Sequence, residues 1–587
     1  MKKTTLLSFI TFLSMNMLFA QLPVSHTQEN RNVLLEEYTG MHCTWCPAGH
    51  KIASQMKAAH PDDVFISNVH VGGYATPGSG EPDYRTPFGT AFASGAGVHF
   101  YPSGSVNRHV FSGNATAMSR TSWSSSANQV MGEASYCNVA LEATVDTQTR
   151  EMTINVEVYY TGNSSQASNY LNVALLQDNV EGIQVSASRN PTQILPIKDY
   201  TDENYNHMHM LRHMITGQWG DEITTTSQGT LIQRQYTYTL PADIRGIPLE
   251  MGNLELVAFV AEGHQEVVTA NSGPITYTNF AYTSNAVLKE LYIYDEICSA
   301  GQIKPILKVR NFGSSEITAM TITYDMNGDN QQTLNWTGSI LKLQKKFIEL
   351  PQFSFPVQST NVFHVAVSTV NGAADENPAD NLKTFNIAET TNTGEGTDYV
   401  VTIVQDRYGS ETTWGILDDN GNVLAGGGPY GNLPANGTQT HTHNVTLNDT
   451  GCYTFLILDA YGDGINGTYG NGSYKMETAT GDVVFQGSGV FGQRDRKPFT
   501  TTVPAGINDN YFAGVKIYPN PSTGNFIFEN VSGMNLEIFD MMGARIYEKH
   551  DLVSSQSVNL DKFSSGVYFV KLQKETKTIL KKIIITK

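Results

Sequence analysis

Hydrophobic and polar positions follow two regimes along this chain, and the change falls near residue 135. Residues 32–38 form an apolar, strand-like run, and in residues 47–60 Ile52, Met56 and Ala59 recur at helical spacing, the pattern of one buried face. Residues 64–71 read as a second strand, a Gly/Pro-rich excursion follows, and residues 119–132 read as a helix weakened by its serines. From Tyr136 onward the alternation has period two, as in 152–160 (MTINVEVYY), 171–176, 254–260 and 266–270. That is β-sandwich patterning.

The same alternation predicts a third unit over 276–390, with strands at 288–294, 303–309, 317–324, 346–350 and 361–370. Their spacing suits an immunoglobulin-like sandwich. A fourth unit over 391–506 is rich in Gly and Thr, with strands at 398–405, 413–418 and 452–459, and polar stretches near 391–397 and 504–510 read as linkers. The last 80 or so residues form a compact set of short strands with a basic finish. A length of 587 residues exceeds one core and suits about four or five domains of about 100–150 residues. The expected fold is therefore multidomain, an α/β first domain (21–135) followed by all-β immunoglobulin-like or jelly-roll sandwiches (136–275, 276–390, 391–506) and a small terminal β-sandwich (507–587).

Composition narrows the function classes. Only 16% of residues are charged, 52 are Gly and 28 are Tyr, which suits an exported all-β chain. A net charge of −18 lacks the basic footprint of a nucleic-acid binder. Lys2 and Lys3 before the apolar stretch Leu6 to Phe19 read as a secretory signal over 1–20, although Leu18 stands where a small residue is preferred. No later apolar run reaches about 18 residues, so no transmembrane helix is expected in the mature chain.

The five cysteines are Cys43, Cys46, Cys137, Cys298 and Cys452. The expectation is one local pair and three buried, isolated thiols in separate domains. Cys43-Thr44-Trp45-Cys46-Pro47 sits where a strand hands over to a helix. There, unpaired amides and the helix dipole stabilise a thiolate, as in a thioredoxin-type site. The pair is either an exchange site, with Cys43 attacking and Cys46 resolving, or a permanent disulfide of an exported domain. The neighbouring Glu36 and Glu37 point to opposite faces of a strand, which makes them poor partners for acid–base catalysis.

Two other clusters invite a metal. His207 and His209 alternate on one strand face with His213 close by, a pattern equally served by histidines packed in a polar network. The loop from Asp459 to Gly467 (DAYGDGING) offers Asp459, Asp463 and Asn466 as oxygen ligands for Ca²⁺. Its third position is Tyr461 and no Glu stands at the twelfth, so it departs from an EF-hand, and a glycine turn capped by Asp and Asn accounts for the same residues. No nucleophile elbow, HExxH or phosphate loop is present, and Gly426-Gly427-Gly428-Pro429 reads as a turn.

Both ends resemble known families. Val515-Lys516-Ile517-Tyr518-Pro519-Asn520-Pro521, residues 535–543, Gly566-Val567-Tyr568-Phe569-Val570 and the basic end 581–587 resemble a type A sorting domain of the type IX secretion system. The resemblance implies delivery across the outer membrane by that machinery through residues 507–587, with the chain exported through the periplasm to the outer-membrane surface or the medium. The first 275 residues resemble the Bacteroidetes 28-kDa outer-membrane-protein family, whose first part is thioredoxin-like. The matching pieces are Glu37-Tyr38-Thr39-Gly40, the Cys43–Pro47 stretch, Tyr101-Pro102 with Asn107-Arg108, and residues 205–220. That resemblance implies that Pro102 is the cis-proline facing the dithiol, where it would present backbone to a substrate strand. Two functions follow as expectations: thiol–disulfide oxidoreductase activity on extracytoplasmic proteins through Cys43, Cys46 and Pro102, or non-catalytic surface binding with the cysteine pair as a structural disulfide.

Overall fold

Strand β1 (Val33–Thr39) is buried along its whole length, because apolar residues face both sides of it. It pairs in parallel with β2 (Val64–His70) and antiparallel with β3 (Ser103–Val106) in the computed structural model, which describes residues 22, 24–298, 302–448, 450–503, 512, 514–575 and 577–587. The expected signal at 1–20 and the linker at 504–510 lie outside the described residues. The odd members Val33 and Leu35 pack under α1 (Cys46–Ala59) and α3 (Trp123–Met131) against Ala53, Met56 and Trp123. The even members Leu34 and Tyr38 join Phe92 of α2 (Gly89–Ala96) on the other face.

The α/β arrangement does not end at residue 135. At the open edge of β2, the Asn68 amide donates to the His209 carbonyl at 2.7 Å, and Met210–Met214 then continues the sheet into Asn169–Gln177, Leu254–Ala261 and Val267–Ser272. Strands from both sides of residue 135 therefore share one mixed sheet. Its far half buries Leu171, Val173, Leu175, Leu256 and Val260 against the antiparallel layer of Cys137–Asp146, Glu151–Tyr160 and Leu231–Thr239. The helix expected over 119–132 is shorter, because Met118–Ser119 pairs with β3 before α3 starts.

The next two modules are two-sheet sandwiches. Residues 286–389 enclose Leu288, Leu307, Ile322, Phe363, Val365 and Ile387. The single strand expected over 303–309 is two, Gln302–Ile303 and Ile306–Asn311, since Pro305 between them offers no amide to the ladder. Residues 393–502 enclose Tyr399, Ile403, Trp414, Phe455 and Phe499. The linker expected at 391–397 is in part an edge strand, Thr393–Glu395, paired in parallel with Thr500–Thr502. Both modules belong to one compact unit ending at Thr502.

Polar clamps join these modules. Lys308 bridges Glu181 at 2.6 Å and Glu290 at 2.9 Å, and Arg310 reaches Glu250 at 2.7 Å. The expectation of three isolated thiols is corrected here: Cys298 and Cys452 form a disulfide with Cα atoms 5.7 Å apart, and Cys137 stays a buried free thiol. Separation by 154 residues hid that pairing. The second unit, Val503–Lys587, is all-β, with Phe526, Phe528, Leu536, Val570 and Ile583 between a three-stranded and a four-stranded sheet.

Candidate functional site

The cysteine pair sits where β1 turns into α1. Cys43 and Cys46 are disulfide-bonded, Cys46 opens the helix, and Pro47 occupies its first turn, where a missing N–H costs nothing. Trp45 between them is 49% exposed, with the Arg189 guanidinium 3.7 Å from its ring centre and that of Arg120 at 5.2 Å. Both sulfur-bearing residues are buried, Cys43 at 3% and Cys46 at 0% exposure. The cover is the segment around Gln184: its side-chain amide donates to the carbonyls of Met41 at 3.1 Å and Cys43 at 3.3 Å, while the Val185 amide donates to the Met41 carbonyl at 2.8 Å.

Pro102 follows a cis peptide bond and lies on the α1 side. One turn beyond Cys46, Gly49 allows the close approach: a Cβ there would stand 3.1 Å from Pro102 Cβ and would collide with the Glu37 carboxylate. Gly49→Val is accordingly expected to unfold the first unit or push α1 off the sheet, checked by far-UV circular dichroism and melting temperature.

Glu36 and Glu37 do face opposite ways. Glu36 accepts two hydrogen bonds from Arg108, at 2.7 and 2.8 Å, on the α2 face. Glu37 is wholly buried under α1, and neither of its oxygens has a hydrogen-bond partner among the described residues. Burial raises its pKa well above the usual carboxylate range, with the Arg120 charge pulling the other way. Its separation from Glu36 removes a carboxylate dyad, yet leaves a buried carboxyl behind the dithiol helix whose charged form is disfavoured by burial.

A histidine network surrounds that acid. His50 of α1 shares hydrogen bonds of 2.9 Å with Thr39 Oγ1 and with the Tyr205 hydroxyl, and its Nε2 is 3.9 Å from Glu37 Oε1. His207 sits among Tyr84, Tyr205 and His70, at ring separations of 4.9, 5.0 and 5.3 Å. Burial, then the neighbouring His207, lowers His50 to about 3, and burial lowers His207 to about 4. These rings are therefore neutral in the folded chain and bind protons on unfolding. Their contribution to stability is whole above about pH 6.5 and is lost as pH falls through the folded values. His50→Gln is expected to flatten the fall of the denaturation midpoint between pH 7 and pH 4 relative to the parent, checked by urea titrations across that range.

The three clustered histidines do not form one metal site. A positive φ of 50° at His209 and a bulge between Leu211 and His213 break the alternation. His209 turns to Glu255 at 2.8 Å and Asp178 at 3.4 Å, while His213 lies between Phe88 and Tyr238.

Of the loop carboxylates, Asp459 and Asp463 converge with Glu411, one oxygen from each lying within 4.8 Å of the others. Asn466 Nδ2 donates to the Gly472 carbonyl at 3.1 Å, which ties the loop together. Desolvation, then the charges of Asp459, Asp463 and Asp406, raises Glu411 to about 7; desolvation likewise raises Asp459 to about 7. Glu411 escaped sequence reasoning because it stands on a different strand connection, although the ladder puts Thr412 directly opposite Asp459. The loop also walls a cavity of about 670 Å³ shared with His42, Glu81, Val185 and Asp202, beside the dithiol turn.

Residues 90–274 match the family of outer membrane protein Omp28. The Omp28 span holds cis-Pro102, Arg108 and the 205–220 stretch, whereas the dithiol at 43 and 46 precedes it. Residues 516–586 match the secretion system C-terminal sorting domain. Similar solved structures include HBP35 of Porphyromonas gingivalis, at 15% identity over 62% of this chain and 99% of that one with a TM-score of 0.35. A domain of the outer membrane lipoprotein Omp28 from the same organism aligns at 20% identity over 24% of this chain and 91% of that one, with a TM-score of 0.17. No curated protein matches the chain. The Omp28 and sorting-domain matches support an outer-membrane surface or extracellular protein whose tail engages the type IX secretion machinery. Among the described residues no helix is long and apolar enough to cross a membrane.

Proposed function

We propose that this exported surface protein carries out thiol–disulfide exchange at Cys43 and Cys46 in a thioredoxin-like first domain. The observation that carries the reading is Glu37: a wholly buried carboxylic acid without a hydrogen-bond partner costs stability, and a merely structural disulfide has no use for one. A substrate thiolate attacks Cys43 Sγ, the bond to Cys46 breaks, and Cys46 leaves as a thiolate that takes the Glu37 proton. A second substrate thiolate then attacks the mixed disulfide and releases Cys43, so two substrate thiols become one disulfide and the protein pair is reduced. Pro102 lies on the same side and offers backbone to the substrate strand. Reaching Cys43 requires the Gln184–Val185 cover to lift.

A second reading treats the pair as a structural staple in a surface-binding protein. The burial of both cysteines favours it. The discriminating measurement is the equilibrium reduction potential of Cys43–Cys46 in the full-length mature chain. A value between about −120 and −270 mV places the pair among working oxidoreductases, and one below about −300 mV makes it a staple. If exchange operates, Glu37→Gln should slow it about 10²-fold or more and, by removing a group whose charged form is disfavoured by burial, raise stability as pH increases.

A further inference from the structure

We propose that Glu411, Asp459 and Asp463, backed by Asp406, form a Ca²⁺ site on the fourth module. The donor atoms are all hard oxygens, and three of them already lie within 4.8 Å of one another. Asp406 and Asp459 are buried, at 6% and 4% exposure. Among the described residues no Lys, Arg or His forms an ion pair with any of the four. The buried carboxylates are oriented by backbone amides: Asp459 accepts from the Gly462 amide, and Asp406 accepts from the Tyr408 amide at 2.8 Å.

A second observation comes from the strand ladder. Thr412 stands directly opposite Asp459 in the antiparallel pair, so both side chains leave the same face of the sheet. Thr412 is wholly buried, and its hydroxyl has no hydrogen-bond partner among the described residues. A buried hydroxyl without a partner costs stability unless an ordered water or ion satisfies it, and a cation held by the adjoining carboxylates would place such a group beside it. Zinc and copper prefer nitrogen and sulfur donors, and none are offered here. Mg²⁺ demands a near-ideal octahedron, whereas Ca²⁺ tolerates the mixed carboxylate, hydroxyl and loop-carbonyl surroundings of this turn.

The ligand set differs from the one the loop sequence suggests. Glu411 enters from the neighbouring connection, and Asn466 donates to the Gly472 carbonyl through Nδ2, which leaves its Oδ1 able to act as a further oxygen donor. The cation would join two segments far apart in the chain, bracing the Tyr461–Asp463 wall of the cavity next to His42.

The test is calorimetric titration of CaCl₂ into the EDTA-stripped full-length chain, with melting temperatures in Ca²⁺ and in EDTA. One saturable Ca²⁺ per chain and a rise of several degrees in melting temperature are expected. Glu411→Gln and Asp459→Asn should each weaken affinity at least tenfold, while Asp398→Asn, elsewhere on the same module, should not. Terbium luminescence excited through Tyr461 gives a readout on the unmutated protein: it should appear on Tb³⁺ addition and be displaced by Ca²⁺. Absence of saturable Ca²⁺ heat and of displaceable Tb³⁺ emission overturns the site, as does undiminished affinity in a folded Glu411→Gln chain.

Discussion

Replacing Arg108 by Met is expected to cost about 3–5 kcal/mol of stability, the range for removing one member of a buried ion pair. Arg108 and Glu36 are both nearly inaccessible, with side-chain exposures of 7% and 4%, and the guanidinium meets both carboxylate oxygens. The guanidinium also lies over the rings of Phe92 at 4.8 Å and Phe259 at 5.2 Å, so it is held by aromatic faces as well as by charge. Met restores part of the stem volume but leaves Glu36 charged, buried and alone. Adding Glu36→Leu should recover much of the loss, because the uncompensated charge goes with it. Amide hydrogen exchange across β1 measures the effect locally, which matters in a multimodule chain whose unfolding is not one transition. Exchange protection unchanged by Arg108→Met would show that the pair contributes nothing to the sheet.

Removing the Cys298–Cys452 disulfide is expected to cost about 2–5 kcal/mol, because it closes a long loop of the unfolded chain. The bond separates residues 154 apart and ties the third module to the fourth. Links beside it among the described residues include Thr390 Oγ1 donating to the Pro498 carbonyl at 2.9 Å, and Arg496 donating to the Glu296 carbonyl at 2.8 Å while lying 3.9 Å from the Tyr294 ring centre. The Cys298→Ser/Cys452→Ser chain should therefore melt lower and be cut sooner by protease between these modules. The Cys43–Cys46 pair closes a loop with a separation of only 3, so its removal should cost far less through chain entropy. An equal loss from both pairs would contradict that ordering.

The two carboxylates of β1 show where local pattern suffices. Strand periodicity alone separates Glu36 from Glu37, and they do lie on opposite faces. What periodicity does not supply is the consequence, since one face brings the Arg108 guanidinium and the other, among the described residues, brings no hydrogen-bond partner. The histidines show the reverse case. Alternation places His207 and His209 together, but one residue with φ of 50° and one bulge send His207 into the ring cluster, His209 to Glu255 and His213 to Tyr238.

From sequence by itself come the mostly β character of the chain, the strand–CxxC–helix handover, the sorting tail and the acidic character of the 459–467 turn, because each depends on residues within a few positions of one another. Tertiary structure alone decided that one sheet runs across residue 135, that Cys298 finds Cys452, that Gln184 covers the dithiol and that Glu411 comes to lie beside Asp459. Those are meetings of segments tens to hundreds of residues apart. Such meetings follow from how whole faces pack and which edges remain open to pair, and neither is written in any local stretch of the chain.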